Sequence, residues 1–320
     1  MIKKLMYYIS NSLDPYKNLA IEKYLLDFAS DDCFILYLWQ NQNTVVIGKN
    51  QNPWAECDCS LLEKEGGRVA RRLSGGGAVY HDIGNLNFTF LCATKNFDIA
   101  RQIDVIKEAC SLAGLHAEVS GRNDILINGR KFSGNAFYNS KGKSYHHGTL
   151  LIDANIEQIQ RYLTPPKAKL DVKGVKSVKS RVANLTEFAP ALTCSDMTKY
   201  MLDAFQNIFG MPAEQFVNID AEKITPLENT YCSWEYIYGT TIPFSVSLEN
   251  HYPWGHVQLL LEVKNGIISS VQMYTDSMDW TISDNIKSAL TGCRFETVDI
   301  KNALVKVLPQ SIADDLMNLF

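Results

Sequence analysis

Residues 71–80 read RRLSGGGAVY, and the setting of three consecutive glycines behind two arginines decides how the chain around them is organised. Glycine gives up more backbone freedom on folding than any other residue, so a triplet needs a return: a positive φ or the close approach of another group. The flanks supply the context. GRVARRL (67–73) leads in and LNFTFLCA (86–93) follows, both β-rich, so the triplet lies in a connection between two strands. In such a turn main-chain N–H groups can converge on an anion, while arginines add fixed charge and forked donors. The stretch suits a phosphate or a carboxylate. It is not a P-loop, because GxxxxGK followed by Ser or Thr does not occur, nor a dinucleotide fingerprint, because GxGxxG is absent. The plain structural alternative is a tight turn with solvated arginines.

Working outward, DPYKNLAIEKYLLDFA (14–29) offers Asp14 as N-cap and Pro15 at the first helical position, with Ile21, Leu25 and Phe28 on one face. CFILYLW (33–39) and TVVIG (44–48) read as an antiparallel strand pair. FDIARQIDVIKEACSLAG (97–114) is a helix, with Ile99, Ile103, Ile106 and Cys110 at helical spacing and Gly114 in C-cap position. Strands follow at HAEVSG, DILI, KFSGNAFY and HHGTLLID, with Asn128-Gly129 as the hairpin turn between the middle two. RYLTPPKAKLDVKGVKSVKSR (161–181) is a basic loop, and SDMTKYMLDAFQNIFG (195–210) an amphipathic helix with Met197, Met201, Phe205 and Ile208 on one side. The tail has two strand-like runs around Asn265-Gly266, then two short helical patterns. These observations predict a larger domain over 1–245 and a small α+β domain over 246–320.

The chain has 320 residues and is 46% apolar, enough for an ample core in the larger domain. Its net charge of −4 argues against general affinity for nucleic acid or an anionic membrane, so an anion site must be local. The eight cysteines are scattered without a CxxC pair, and the N-terminus has no long apolar run, which points to reduced thiols and a cytoplasmic protein.

A second constellation is GRNDILINGRKFSGNAFY (121–138): Asn123 and Asp124 on one strand of the hairpin, Lys131 just after the turn, and Ser133 and Gly134 beyond. The hairpin brings Lys131 near the strand that carries Asp124. In HHGTLL (146–151) adjacent histidines on a strand face opposite ways, so His146 and His147 do not ligate one metal together; one of them facing a pocket as a hydrogen-bond donor suits the pattern better.

Taken together, RRLSGGGAVYHDIGNLNFTF, GRNDILINGRKFSGNAFY, YHHGTLL and SVKSRVANL (177–185) resemble the signatures of the lipoate-protein ligases, in the family's order. NLAIEKYLL and NTVVIGKNQNPWAEC fit the same pattern, and the tail resembles the C-terminal domain of the longer, two-domain members. The resemblance implies an α/β fold, a mixed or antiparallel sheet of the biotin/lipoate protein ligase type with a small α+β accessory domain. It further implies an ATP-dependent ligase that adenylates lipoate and passes the acyl group to a carrier lysine.

The resemblance assigns roles position by position. Lys131 matches the family's essential lysine, set between the lipoate carboxylate and the α-phosphate. Arg72, Gly77, Ala78, Val79 and Tyr80 match the nucleotide-binding stretch, and Asn123 and Asp124 lie near ATP, Asp124 as a candidate Mg²⁺ ligand. Arg71, Gly76 and His147 join Lys131 around lipoate. Leu73, Val79, Phe88, Phe90, Phe132 and Phe137 are candidate walls for the acyl chain, and the basic loop from Pro165 to Arg181 corresponds to a lid. The implied partners are apo lipoyl domains of 2-oxoacid dehydrogenase acyltransferase subunits and the glycine cleavage carrier protein, for a monomer that needs neither nucleic acid nor membrane. Two other readings carry different chemistry. A cysteine-thioester acyltransferase of the same fold would need an activated thiolate, and the span between Cys110 and Cys194 holds none. A non-catalytic lipoate-binding scaffold would need the ATP stretch or Lys131 broken, and both are intact.

Overall fold

The computed structural model describes residues 2–49, 51–120, 124–163, 182–217, 219–239, 244–275, 277–279 and 281–320. Fourteen strands are present among them: β1 Lys4–Ile9, β2 Cys33–Trp39, β3 Thr44–Ile47, β4 Arg68–Arg71, β5 Val79–His81, β6 Asn85–Ala93, β7 Glu118–Ser120, β8 Asp124–Ile127, β9 Arg130–Ser140, β10 Lys143–Leu151, β11 Ala213–Gln215, β12 Phe244–Tyr252, β13 Gly255–Lys264 and β14 Ile267–Thr275.

The main sheet runs β11-β1-β2-β6-β10-β9-β8-β7, parallel where β1 meets β2 and β11 and antiparallel elsewhere. Strand β2 is buried along its whole length and shows how the two faces divide. Phe34, Leu36 and Leu38 point to one face, where they pack with the helices Ile99–Leu112 and Cys194–Phe209. Ile35, Tyr37 and Trp39 point to the other, with Leu19, Ile21 and Leu25 of the helix Pro15–Phe28. The period of two that separates them is the pleat itself.

The helix Pro15–Phe28 starts as its sequence dictates. Asp14 accepts from the N–H groups of Tyr16 and Lys17, and Pro15 takes the first position. Its buried arc differs from the expected one: Asn18 and Glu22 are enclosed with Leu25, while Phe28 is half exposed. On Ile99–Leu112 the expected face is likewise rotated. Ile99 is exposed, and Gln102, Val105, Ile106, Ala109 and Cys110 are inside, Gln102 because it meets His146 across the core.

The expected β2–β3 pair does not form. β3 leaves the main sheet after Asn43, whose φ is 41°, and lies between β4 (parallel) and β5 (antiparallel) in a separate sheet. That small sheet carries the glycine triplet between β4 and β5. Two hairpin turns follow the sequence: Asn128-Gly129 (φ 49° and 72°) and Asn265-Gly266 (φ 51° and 76°) both take the left-handed pair that a two-residue turn requires.

The C-terminal sheet, β12-β13-β14, packs Leu259, Leu261 and Val271 on the helices Ile282–Leu290, Thr297–Leu304 and Gln310–Met317, one strand and one helix more than the sequence suggested. Trp54 joins the two regions. Its ring stacks on Tyr238 at 5.2 Å and meets Phe295 edge-on at 4.9 Å. Among the described residues no helix is long and apolar enough to cross a membrane.

Candidate active site

The glycine loop is shaped by its two arginines. Arg71 ends β4 almost fully buried, donating through Nη1 to the carbonyls of Lys49 (2.8 Å) and Gln51 (2.8 Å) and through Nε to Ile237 (2.9 Å). Burial lowers its guanidinium from 12.5 to about 10, so it stays charged at neutral pH. Its neighbour Arg72 points the other way, as the pleat requires. There Nη1 meets Val46 O (2.9 Å), and Nη2 holds both Gly75 O (2.8 Å) and Gly77 O (2.7 Å). Burial likewise brings Arg72 down to about 10.

With those carbonyls turned in on Arg72, the glycines lie exposed, and a Cβ at Gly75 or Gly77 would meet nothing within 4 Å. Gly76 has φ +91°, which disfavours any side chain. Beneath the loop Gly48 must also be glycine, because a Cβ there would stand 2.4 Å from Gly76 O. Ala78 and Val79 are half-buried, and Tyr80 turns its side chain away, its hydroxyl on Asn43 Oδ1 at 3.1 Å.

Below the loop lies a buried polar chain. Ser74 Oγ is 2.7 Å from His147 Nε2, and His147 Nδ1 is 2.8 Å from Glu22 Oε1. His146, on the opposite face as expected, contacts Gln102 (3.0 Å) and Asn135 (2.8 Å), and burial lowers it to about 3. The two histidines thus serve separate faces.

The hairpin delivers the lysine. Between β8 and β9 the register slips: Ile125 pairs with Ser133 but Leu126 with Lys131, so Phe132 is the extra residue of a bulge and drops into the core. Lys131 Nζ then sits 2.8 Å from Asp124 Oδ1, both partly exposed. Gly134 makes room for it, since a Cβ there would be 3.4 Å from Nζ. Thr149 Oγ1 accepts from the Gly134 N–H at 3.3 Å. Thr149 and His147 lie two residues apart on one face of β10, about 7 Å along the strand, so the lysine hairpin and the chain below the glycine loop share a sheet face.

Asn123 lies outside the described residues, as does the basic loop over 164–181. Of the candidate acyl walls, Leu73 and Val79 pack on the face of Tyr37, whereas Phe88, Phe90 and Phe132 pack on the face of the helices Ile99–Leu112 and Cys194–Phe209. Phe137 joins that second face, its ring 4.8 Å from His146. Sequence reasoning missed Glu22, whose signal was its place four residues after Asn18 on a buried helical arc. It also missed Asn85, Asn87 and His81, each buried with Oδ1, Nδ2 and Nε2 respectively lacking a partner among the described residues. Among the described residues no three His, Cys, Asp or Glu side chains are grouped to hold a metal ion.

Residues 14–206 match the family described as lipoyl protein ligase A/B catalytic domain, and residues 241–319 match bacterial lipoate protein ligase C-terminus. The chain is similar to the lipoate-protein ligase A of Bdellovibrio bacteriovorus, 36% identical over 315 residues, 96% of this chain and 93% of that one. Among solved structures, P. falciparum LipL1 in complex with lipoate is similar at TM-score 0.65 and 28% identity over 98% of both chains. A bi-partite lipoate protein ligase of Thermoplasma acidophilum, described with its E2 lipoyl domain, follows at TM-score 0.63 and 26% identity over 75% of this chain and 97% of that one. A mixed sheet with helices on both faces and a separate C-terminal sheet define an α/β fold, and the family matches make it that of a ligase. The chain belongs to the lipoate-protein ligase A family.

Proposed function

We propose that this ligase activates lipoate with ATP as lipoyl-AMP, releasing pyrophosphate, and then transfers the lipoyl group to the lysine of an apo lipoyl domain. The observation that carries the reading is Lys131, held by a β-bulge on the same sheet face as the chain beneath the glycine loop. A carboxylate oxygen attacking the α-phosphorus brings two anions together in line. The Lys131 ammonium stands between them, and its charge counts for more as the transition state forms. Asp124, the partner that holds Lys131 before substrate arrives, is a single carboxylate of the kind that binds Mg²⁺ alongside substrate phosphates, where the ion would neutralise phosphate charge.

Arg72 and the main chain of Gly77, Ala78, Val79 and Tyr80 form the nucleotide side, with Arg72 acting through the carbonyls that set the loop's shape. Asn85 and Asn87 add unpaired amide atoms on the lysine's face, suited to the polar groups of a nucleotide. Gly76 and Lys131 flank the lipoate carboxylate, with Leu73 and Val79 on the acyl side. Arg71 is given a structural role, because its guanidinium is engaged by carbonyls from two other segments.

The acyltransferase alternative loses support from the thiols themselves. Burial pushes Cys92 and Cys110 up to about 12 and Cys194 up to about 11, the reverse of what a thioester nucleophile needs. The eight free cysteines are in keeping with action in the cytoplasm. Lipoyl domains of 2-oxoacid dehydrogenases and of the glycine cleavage system are the proposed acceptors.

The deciding experiment is intact mass of a purified apo lipoyl domain after incubation with the protein, with lipoate and ATP each present or withheld. A lipoyl increment only with both supports the reading. An increment that does not depend on added ATP would overturn it.

A further inference from the structure

We infer that Glu22 is a positioning residue that fixes the glycine loop through His147, Ser74 and Arg72; this deepens the proposed function, since it concerns the loop given there to the nucleotide. The hydrogen-bond directions follow from the two ends. Arginine can only donate, so Arg72 Nε–H gives to Ser74 Oγ at 3.0 Å. The Ser74 hydroxyl proton then goes to His147 Nε2 (2.7 Å), which leaves the ring proton on Nδ1, donated to Glu22 Oε1 at 2.8 Å. The other end is closed too. Trp39 Nε1–H donates to Thr89 Oγ1 (3.1 Å), whose hydroxyl donates to the same Glu22 oxygen (2.8 Å).

Arg72, which can only donate, and Glu22, placed to accept, fix the two ends, and the tautomer with its proton on Nδ1 satisfies both links of His147. All the members are buried, Glu22 with 2% of its side chain exposed. The buried Glu22 carboxyl group and the buried Arg72 guanidinium are therefore joined through two intervening side chains rather than in direct contact. At the positive end, Nη2 grips Gly75 O and Gly77 O. The triplet has no side chains with which to hold itself, and glycine's wide conformational freedom makes such a grip necessary. His147 has both ring nitrogens engaged in this chain, so its polar atoms serve positioning and only its ring carbons are left for contact with an apolar acyl chain.

Glu22→Gln keeps the size but lets an amide donor face His147. The histidine proton can then move to Nε2, and Ser74 would meet two donors, with its link to Arg72 weakened. Ser74→Ala cuts the same chain without removing a buried charge. The first readout is hydrogen exchange of the ligand-free protein, followed in peptides within residues 72–80 and, as a control, within 255–275. The second is the apparent KM for ATP and for lipoate. The loop amides of both variants should exchange about tenfold faster, with the control peptides unchanged. ATP KM should rise about tenfold while kcat and lipoate KM stay within about threefold.

Unchanged loop exchange in both variants would overturn the inference, as would a rise in lipoate KM alone. If Glu22→Gln loosens the whole protein, Ser74→Ala decides. A wild-type protein that fails to use ATP would sink the proposed function and leave the exchange result to judge the positioning chain on its own.

Discussion

Arg71, the last residue of β4, and Arg72 directly after it point in opposite directions, and each guanidinium closes on main-chain carbonyls: Arg71 on Lys49, Gln51 and Ile237, Arg72 on Val46, Gly75 and Gly77. Substitution should separate them. Arg71→Ala strands buried carbonyls from two segments and should cost about 2–5 kcal/mol of stability in urea unfolding. Arg72→Ala should weaken ATP use more than lipoate use. An unchanged apparent ATP affinity would remove Arg72 from the nucleotide side.

Lys131→Ala should lower lipoyl-AMP formation by roughly a hundredfold or more while leaving the fold intact. The ion pair with Asp124 is partly exposed, so its loss should shift stability by only about 0–1 kcal/mol. Pyrophosphate release and far-UV circular dichroism on the same sample check both halves; near-normal activity would sink the assignment.

Gly48→Ala tests the loop without removing a charged group. The added methyl would stand 2.4 Å from Gly76 O, against backbone rather than a side chain that could swing aside. The glycine loop should be displaced at a cost of about 1–3 kcal/mol, with ATP-dependent activity falling. Wild-type kinetics would mean that the loop's resting shape is immaterial.

Acid should weaken the fold earlier than its carboxylates alone would. Burial, with added repulsion from Arg72 and His147, lowers His81 to about 3; burial, then His147, does the same for His146. Both folded values lie below the unfolded one near 6.5, so the unfolded chain takes up more protons as pH falls. The stability these neutral rings contribute is present above about pH 6.5 and is lost toward pH 3, at about 1.4 kcal/mol per pH unit for each. Urea midpoints at pH 7, 6 and 5 should fall steadily, and His146→Gln should halve the slope. Flat midpoints would contradict it.

Much of this was legible in the chain because local chemistry left one option. Asp14-Pro15 can only start a helix well, and Asn128-Gly129 can only turn tightly, which is why the Lys131–Asp124 approach could be foreseen. What local chemistry does not encode was missed. The split of β2 and β3 between two sheets depends on which distant strand each meets, and Glu22 is tied into the interior by His147, a residue 125 positions away. Arg71 and Arg72 are one residue type twice over, and only the pleat tells the one that clamps Ile237 from the one that clamps Gly77.

The bulge at Phe132 also sets a rule about register. Lys131 reaches the face it shares with Gly134 only because one extra residue separates it from Ser133, and Phe132 reaches the core for the same reason. If the strand kept all its residues but paired without the bulge, with Phe132 rather than Lys131 opposite Leu126, the two side chains would exchange, the ammonium turning inward and the phenyl ring outward. What this hairpin must keep is therefore its pairing as much as its residues: a one-residue slip of β9 against β8 at this point would turn Lys131 away from Asp124 and Gly134 while every motif letter survived.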